Sequence, residues 1–132
     1  MREILFRGKT ADGEWVYGDL LNVGVDYDYA IRTYGGTEHG QVNAVNGETV
    51  GQYTGLTDEN GIEMYEGDII HGVAHWLERY VPAVVTFRNG SFGLLWYRGE
   101  VEEFNPFTSM CNVEYTVEGN IYDNPELMKG GE

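Results

Sequence analysis

Four side chains near the middle of the chain are the sharpest candidates for chemistry: Tyr53, Tyr65, Glu66 and Asp68. Two carboxylates two positions apart, with a phenol beside them, are raw material for general acid–base work. The tetrapeptide Tyr65-Glu66-Gly67-Asp68 also has a structural reading. Gly67 permits a turn, and Asp68 accepts backbone N–H groups ahead of the apolar pair Ile69-Ile70. The structural reading is preferred, so the four residues stand as a candidate ligand- or partner-binding set and no catalytic residue is assigned. His71 and His75 lie four apart with Glu78 three further on, a spacing that on a helix would suit zinc. Gly72 opposes a helix there and the glutamate of an HExxH motif is missing, so packing or solvated histidines are preferred. Asp58, Asn60 and Gly61 fail as a calcium loop. With Gly61 at the sixth position, Leu56 would be the first ligand and Gly67 the twelfth, where carboxylates are needed. Cys111 has no evident base, Ser109 sits in no GxSxG elbow, and Gly35-Gly36 is not followed by Lys-Ser/Thr. The expectation is a protein without a metal or cofactor that is not an enzyme.

The 132 residues suffice for one domain of ordinary size. Eight Lys and Arg stand against 22 Asp and Glu, a net charge of −14. Such acidity opposes non-specific binding to nucleic acid or to anionic membranes, both of which need a basic face. No run approaches the length of a membrane span or of a signal peptide's core. With a single cysteine, Cys111, that absence points to a cytoplasmic protein. Tyr27, Tyr29 and Tyr34 could form a stacking or contact surface, because Tyr is favoured at interfaces. Strand-filling tyrosines are the preferred reading. The partner expected is another protein, a second copy of the chain included.

Five Phe, ten Tyr and three Trp accompany 19 glycines and only three prolines. Aromatics suit a pleated surface and glycine suits positive φ, so the class expected is all-β: short strands joined by tight turns. Asp12-Gly13 reads as a type I′ hairpin turn. Opposed residues would then sum to 25, with Ile4, Phe6, Trp15 and Tyr17 on the core face and Arg7 and Lys9 on the other. Residues 22–46 read as a polar, turn-rich insertion holding strands near Tyr29–Tyr34 and Val42–Val45. Asn60-Gly61 and Glu66-Gly67-Asp68 are turns, and 71–82 is ambiguous. Asn89-Gly90 centres a hairpin in which Phe87 faces Phe92, Val85 faces Leu94 and Ala83 faces Trp96. Val113–Val117 alternates as a half-buried strand continued by Asn120-Ile121-Tyr122. A capped helical turn follows at Asp123–Met128, with Pro125 near its first position.

The segments MREILFRGK, EWVYGDL, ETVGQYTGLTDENGIEMYEGDII, VVTFRNGSFGL and VEGNIYDNPELM resemble, in that order, the YopX family of phages and prophages. The resemblance covers about the whole chain apart from stretches near 22–46 and 71–80. It implies an SH3-type small β-barrel at residues 49–132, preceded by an N-terminal β-hairpin region at residues 1–48. It implies no reaction and no catalytic residue. The function expected is therefore an acidic β-domain acting by protein contact. A small ligand-binding or hydrolytic barrel using Tyr53, Tyr65, Glu66 and Asp68 is the second reading, and a nucleic-acid-binding barrel the third.

Overall fold

A computed structural model describes residues 3–22, 29–34, 40–74, 81–107 and 113–129. Among the described residues ten strands run in chain order: β1 (Phe6–Lys9), β2 (Trp15–Asn22), β3 (Tyr29–Thr33), β4 (Gln41–Thr57), β5 (Glu63–Tyr65), β6 (Asp68–Ala74), β7 (Val81–Arg88), β8 (Ser91–Arg98), β9 (Val101–Pro106) and β10 (Val113–Asn120). A 3₁₀ turn at Pro125–Lys129 follows. The strand registers are antiparallel, so the all-β expectation holds. The chain divides into two compact units, Met1–Gly55 and Leu56–Glu132.

In the first unit β1 pairs β2, β2 pairs β3, β3 pairs β4, and β4 pairs back onto β1. Four strands thus close on themselves. A bulge between Arg7 and Lys9 eases the closure. There the Lys9 N–H donates to Thr49 Oγ1 at 2.8 Å, and the Thr49 hydroxyl donates to the Asn46 carbonyl at 2.6 Å. Ile31 is fully buried. The strands expected near Tyr29–Tyr34 and Val42–Val45 within the stretch 22–46 are β3 and the start of β4, paired from Tyr29↔Val45 to Thr33↔Gln41.

The first hairpin corrects the sequence reading by one residue. Phe6 lies opposite Gly18, Arg7 opposite Tyr17 and Lys9 opposite Trp15, so opposed numbers sum to 24. Thr10 and Glu14 close the turn: Thr10 N–H donates to the Glu14 carbonyl at 2.8 Å and Gly13 N–H to the Thr10 carbonyl at 2.9 Å. Only Gly13 has positive φ, at 84°. This is a three-residue loop ending in a left-handed glycine, not a two-residue type I′ turn. Because strand side chains alternate, a one-step slip exchanges faces. Arg7 and Lys9 therefore share a face with Trp15 and Tyr17, and Arg7 lies 4.6 Å from the Trp15 ring centroid.

In the second unit five strands follow the order β10-β6-β7-β8-β9. The β7–β8 hairpin has the expected register, with Phe87↔Phe92 and Val85↔Leu94. Asn89 (φ 54°) and Gly90 (φ 82°) are both left-handed, as a type I′ turn requires. Met64, Ile70, Ala83, Val85 and Leu94 form the core, with Trp96, Phe107, Tyr115 and Val117 packed against it. Phe87, at the hairpin tip, departs from the expected core row. It is 52% exposed and meets Phe92 edge-on at 4.9 Å. On the reverse face Ile69 is also buried. Gly119 lies opposite it, and Leu127 of the 3₁₀ turn comes within 3.1 Å of where a Gly119 Cβ would stand. The terminal turn thus covers this second apolar face. Contrary to expectation β10 ends at Asn120, and Ile121–Asp123 form a turn. Among the described residues no helix is long and apolar enough to cross a membrane.

Candidate functional site

Tyr65, Glu66 and Asp68 come together on the turn between β5 and β6. Gly67 takes φ 91°, which glycine alone adopts without strain. Its N–H donates to the Val85 carbonyl, and its carbonyl accepts from Ile121 N–H, both at 2.9 Å. Asp68 is 3% exposed, and its Oδ2 accepts the Tyr65 N–H at 2.8 Å. Tyr65 is buried too, its hydroxyl 3.3 Å from Glu63 Oε1. Glu66 is half-buried. The turn is thus tied into β7 and into the segment after β10, and one carboxylate oxygen of Asp68 is engaged in closing it. Tyr53 belongs to the first unit, where it is buried on β4 and its N–H donates to the Leu5 carbonyl at 2.8 Å.

Two polar centres were not singled out as such from the sequence. Asp58 is 6% exposed. Its Oδ1 accepts the N–H groups of Asn60 (2.8 Å) and Ile62 (2.9 Å), and its Oδ2 accepts that of Val117 on β10 (3.0 Å). Burial pushes its pKa upward, but the three N–H donors outweigh it and hold the carboxyl below its ordinary value of 3.8. Glu59 N–H reaches the Tyr115 carbonyl at 3.1 Å alongside. An Asp two residues before Asn-Gly is the signature of a side chain capping its own turn.

Asn120 is the second centre. Its Oδ1 accepts from Tyr122 N–H (3.0 Å) and Asp123 N–H (2.9 Å), and its Nδ2 donates to Asp123 Oδ2 (3.1 Å). Asn124 N–H donates to the Asn120 carbonyl at 2.8 Å, which delivers Pro125 to the first position of the 3₁₀ turn.

His71, on β6, meets Glu118 at 3.2 Å. Glu118 sits at a register shift between Val117 and Gly119. His75 and Glu78 lie outside the described residues, as do Cys111, Ser109, Tyr27 and Gly35-Gly36. Among the described residues no three His, Cys, Asp or Glu side chains gather as a metal-holding group. On β7–β9, Arg88 forks onto Glu102 at 3.2 and 3.4 Å. Being exposed, that pair contributes about 1 kcal/mol or less. Burial raises the Tyr115 hydroxyl pKa above 10.0, and its ring meets Phe107 edge-on at 5.4 Å.

Antiparallel strands in two small units, with buried Asp and Asn side chains spent on holding turns, define an all-β class of protein. The chain belongs to the YopX family: the family described as YopX protein matches residues 5–129. Among solved structures the chain is similar to the crystal structure of protein EF1440 from Enterococcus faecalis. The two are 21% identical over 97% of this chain and 99% of that one, with a TM-score of 0.45. No curated protein matches the chain.

Proposed function

We propose that this is a non-enzymatic acidic β-domain, its β6–β10 sheet curled as an SH3-type barrel, that acts by binding a basic surface of a partner protein in the bacterial cytoplasm. One observation carries the reading. Residues 56–132 hold four Lys and Arg against 14 Asp and Glu, a net charge of −10 on the second unit alone. Buried Asp58 and Asp68 are engaged with backbone N–H groups, whereas Glu59, Glu63, Glu100, Glu114 and Glu118 are exposed. Carboxylates displayed this way can occupy a surface that otherwise receives phosphates. Burial of Tyr65 and Asp68, with the hydrogen bond between them, favours this reading over a carboxylate-pair site on the same turn.

The test is capture from nuclease-treated bacterial lysate, repeated as salt rises from about 0.1 M to about 1 M, which shortens the screening length from about 10 Å to about 3 Å. Basic proteins retained at low salt and released at high salt are expected. Partners indifferent to salt would overturn the proposal.

A further inference from the structure

The sequence holds three Asn-Gly steps, at Asn46-Gly47, Asn60-Gly61 and Asn89-Gly90. Asparagine is a labile residue, most of all before glycine, where no Cβ hinders the next nitrogen from attacking the side-chain amide carbon. All three asparagines are exposed, so exposure does not rank them. Backbone geometry does. At Asn89 the left-handed φ of 54° belongs to a conformation with ψ of about +47°. There Cβ lies nearly anti to the Gly90 nitrogen about the Cα–C bond, and the amide carbon is carried away from it. At Asn60 the attacking nitrogen is held, because Gly61 N–H donates to the Asp58 carbonyl at 3.0 Å. The Asp58 carboxylate closes the same turn through Asn60 N–H, and its charge opposes removal of the Gly61 proton. Asn46 differs from both. Its Oδ1 accepts the Glu48 N–H at 3.0 Å, which folds the amide back over the peptide joining Asn46 to Gly47. The reacting carbon is thus held over the nitrogen it needs. The same N–H stabilises the negative charge that attack puts on Oδ1. Gly47 lies in the bulge between Asn46↔Lys9 and Gly51↔Arg7, with no register partner on β1 among the described residues. A Cβ there would stand 2.6 Å from Tyr29 Cδ2, so the closure of β4 onto β1 requires glycine and keeps the labile step.

We propose that Asn46 is a self-modification site, converted without an enzyme to aspartate and isoaspartate ahead of the other two asparagines. The Gly47 nitrogen loses its proton to solvent base and bonds to Asn46 Cγ. The Cγ–Nδ2 bond then breaks and the nitrogen leaves as ammonia, which closes a succinimide ring. Water adds to either ring carbonyl and breaks its bond to the Gly47 nitrogen, so the net change is amide plus water to carboxylate plus ammonium. Opening at Cγ gives aspartate. Opening at the backbone carbonyl gives isoaspartate, which routes the chain through the side chain. In the intact protein that backbone carbonyl accepts the Thr49 hydroxyl at 2.6 Å, and Thr49 Oγ1 in turn accepts Lys9 N–H. Isoaspartate takes this acceptor out of the main chain and loosens the closure of β4 onto β1. Either product adds a negative charge to a chain of net −14.

Ageing the purified full chain in warm, mildly alkaline buffer, folded or in concentrated guanidinium chloride, tests this. Cleavage after glutamate separates the three steps into residues 39–48, 60–63 and 79–100, and mass spectrometry reads the loss of amide in each. In guanidinium, where only the shared Asn-Gly chemistry acts, the three rates should converge. In the folded chain Asn46 should convert about as fast as in guanidinium, as a mixture of aspartate and isoaspartate. Folded Asn60 and Asn89 should convert about tenfold more slowly than that, or slower still. Glu48→Pro removes the N–H on Oδ1 and should slow Asn46 about tenfold while leaving Asn60 and Asn89 unchanged. If that variant unfolds, the wild-type ranking carries the test. Asn60 or Asn89 converting as fast as Asn46 in the folded chain would overturn the inference. So would an Asn46 that folding protects, or a folded Glu48→Pro that ages like wild type.

Discussion

Asp58 gives the most exacting test of how the second unit is held. Replacing it with Ala removes the acceptor of three N–H groups, those of Asn60, Ile62 and Val117. Asn60 and Ile62 are exposed, so water replaces the lost oxygen and each costs about 0.5–1.5 kcal/mol net. Val117 is packed against the core, and its orphaned N–H costs about 1–3 kcal/mol. Asp58→Ala should therefore lose about 3 kcal/mol, which moves a urea midpoint by about 1–2 M. Asp58→Asn keeps an oxygen for Asn60 and Ile62 but turns its NH₂ toward the Val117 N–H. It should fall between wild type and Ala.

The pH dependence has a definite sign. Asp58 is held below 3.8 in the folded chain, so its contribution is full above that pH and drains as pH falls through the folded value. The gap between wild type and Asp58→Ala should be widest at neutral pH and narrow in acid. Urea titrations at several pH values read both numbers. A loss under about 0.5 kcal/mol, or a gap unchanged in acid, would refute the assignment of this carboxylate as the clamp between the β4–β5 turn and β10.

Gly67→Ala and Gly90→Ala form a matched pair. Both glycines have positive φ, which alone costs Ala about 1–2 kcal/mol. Only at Gly67 would the new Cβ also meet a neighbour, Tyr122 at 3.0 Å, so its urea midpoint should fall further than that of Gly90→Ala. Asn120→Ala removes the acceptor of two N–H groups and should cost about 2 kcal/mol. Hydrogen exchange should then quicken at residues 121–127 ahead of β7. Tyr115 titrates late because burial raises its pKa. The unfolded chain ionises first, so stability should decline as pH climbs from 10 toward the folded value, and Tyr115→Phe should flatten that decline.

The two hairpins explain what the sequence could and could not disclose. Asn89-Gly90 places both residues at positive φ, so its chemistry names the turn and the register together. Asp12-Gly13 carries the same signal, but only Gly13 is left-handed, and the deciding residue is Thr10, whose Oγ1 accepts the Glu14 N–H at 3.2 Å. One hydroxyl outside the dipeptide shifted the register and moved Trp15 and Tyr17 beside Arg7 and Lys9. The Gly-Asp turn was legible because an Asp ahead of an apolar strand has one local use. Asn120 was not, since alternation carried the strand through Tyr122 and no spacing rule marks a side chain that ends it. His71 and Glu118 meet across a register shift, which period-two patterns do not record.

The closed ring of β1–β4 has a consequence for solubility. Strands paired on both sides offer no open rim to a passing chain, so unwanted cross-molecule sheet growth must start elsewhere. The pairing order of the second unit ends at β9 and β10, and those outer strands carry Glu102, Glu103, Glu114 and Glu118. Their negative charges act as gatekeepers. Replaced by neutral residues, they would leave these two strands as the place where fibrils begin.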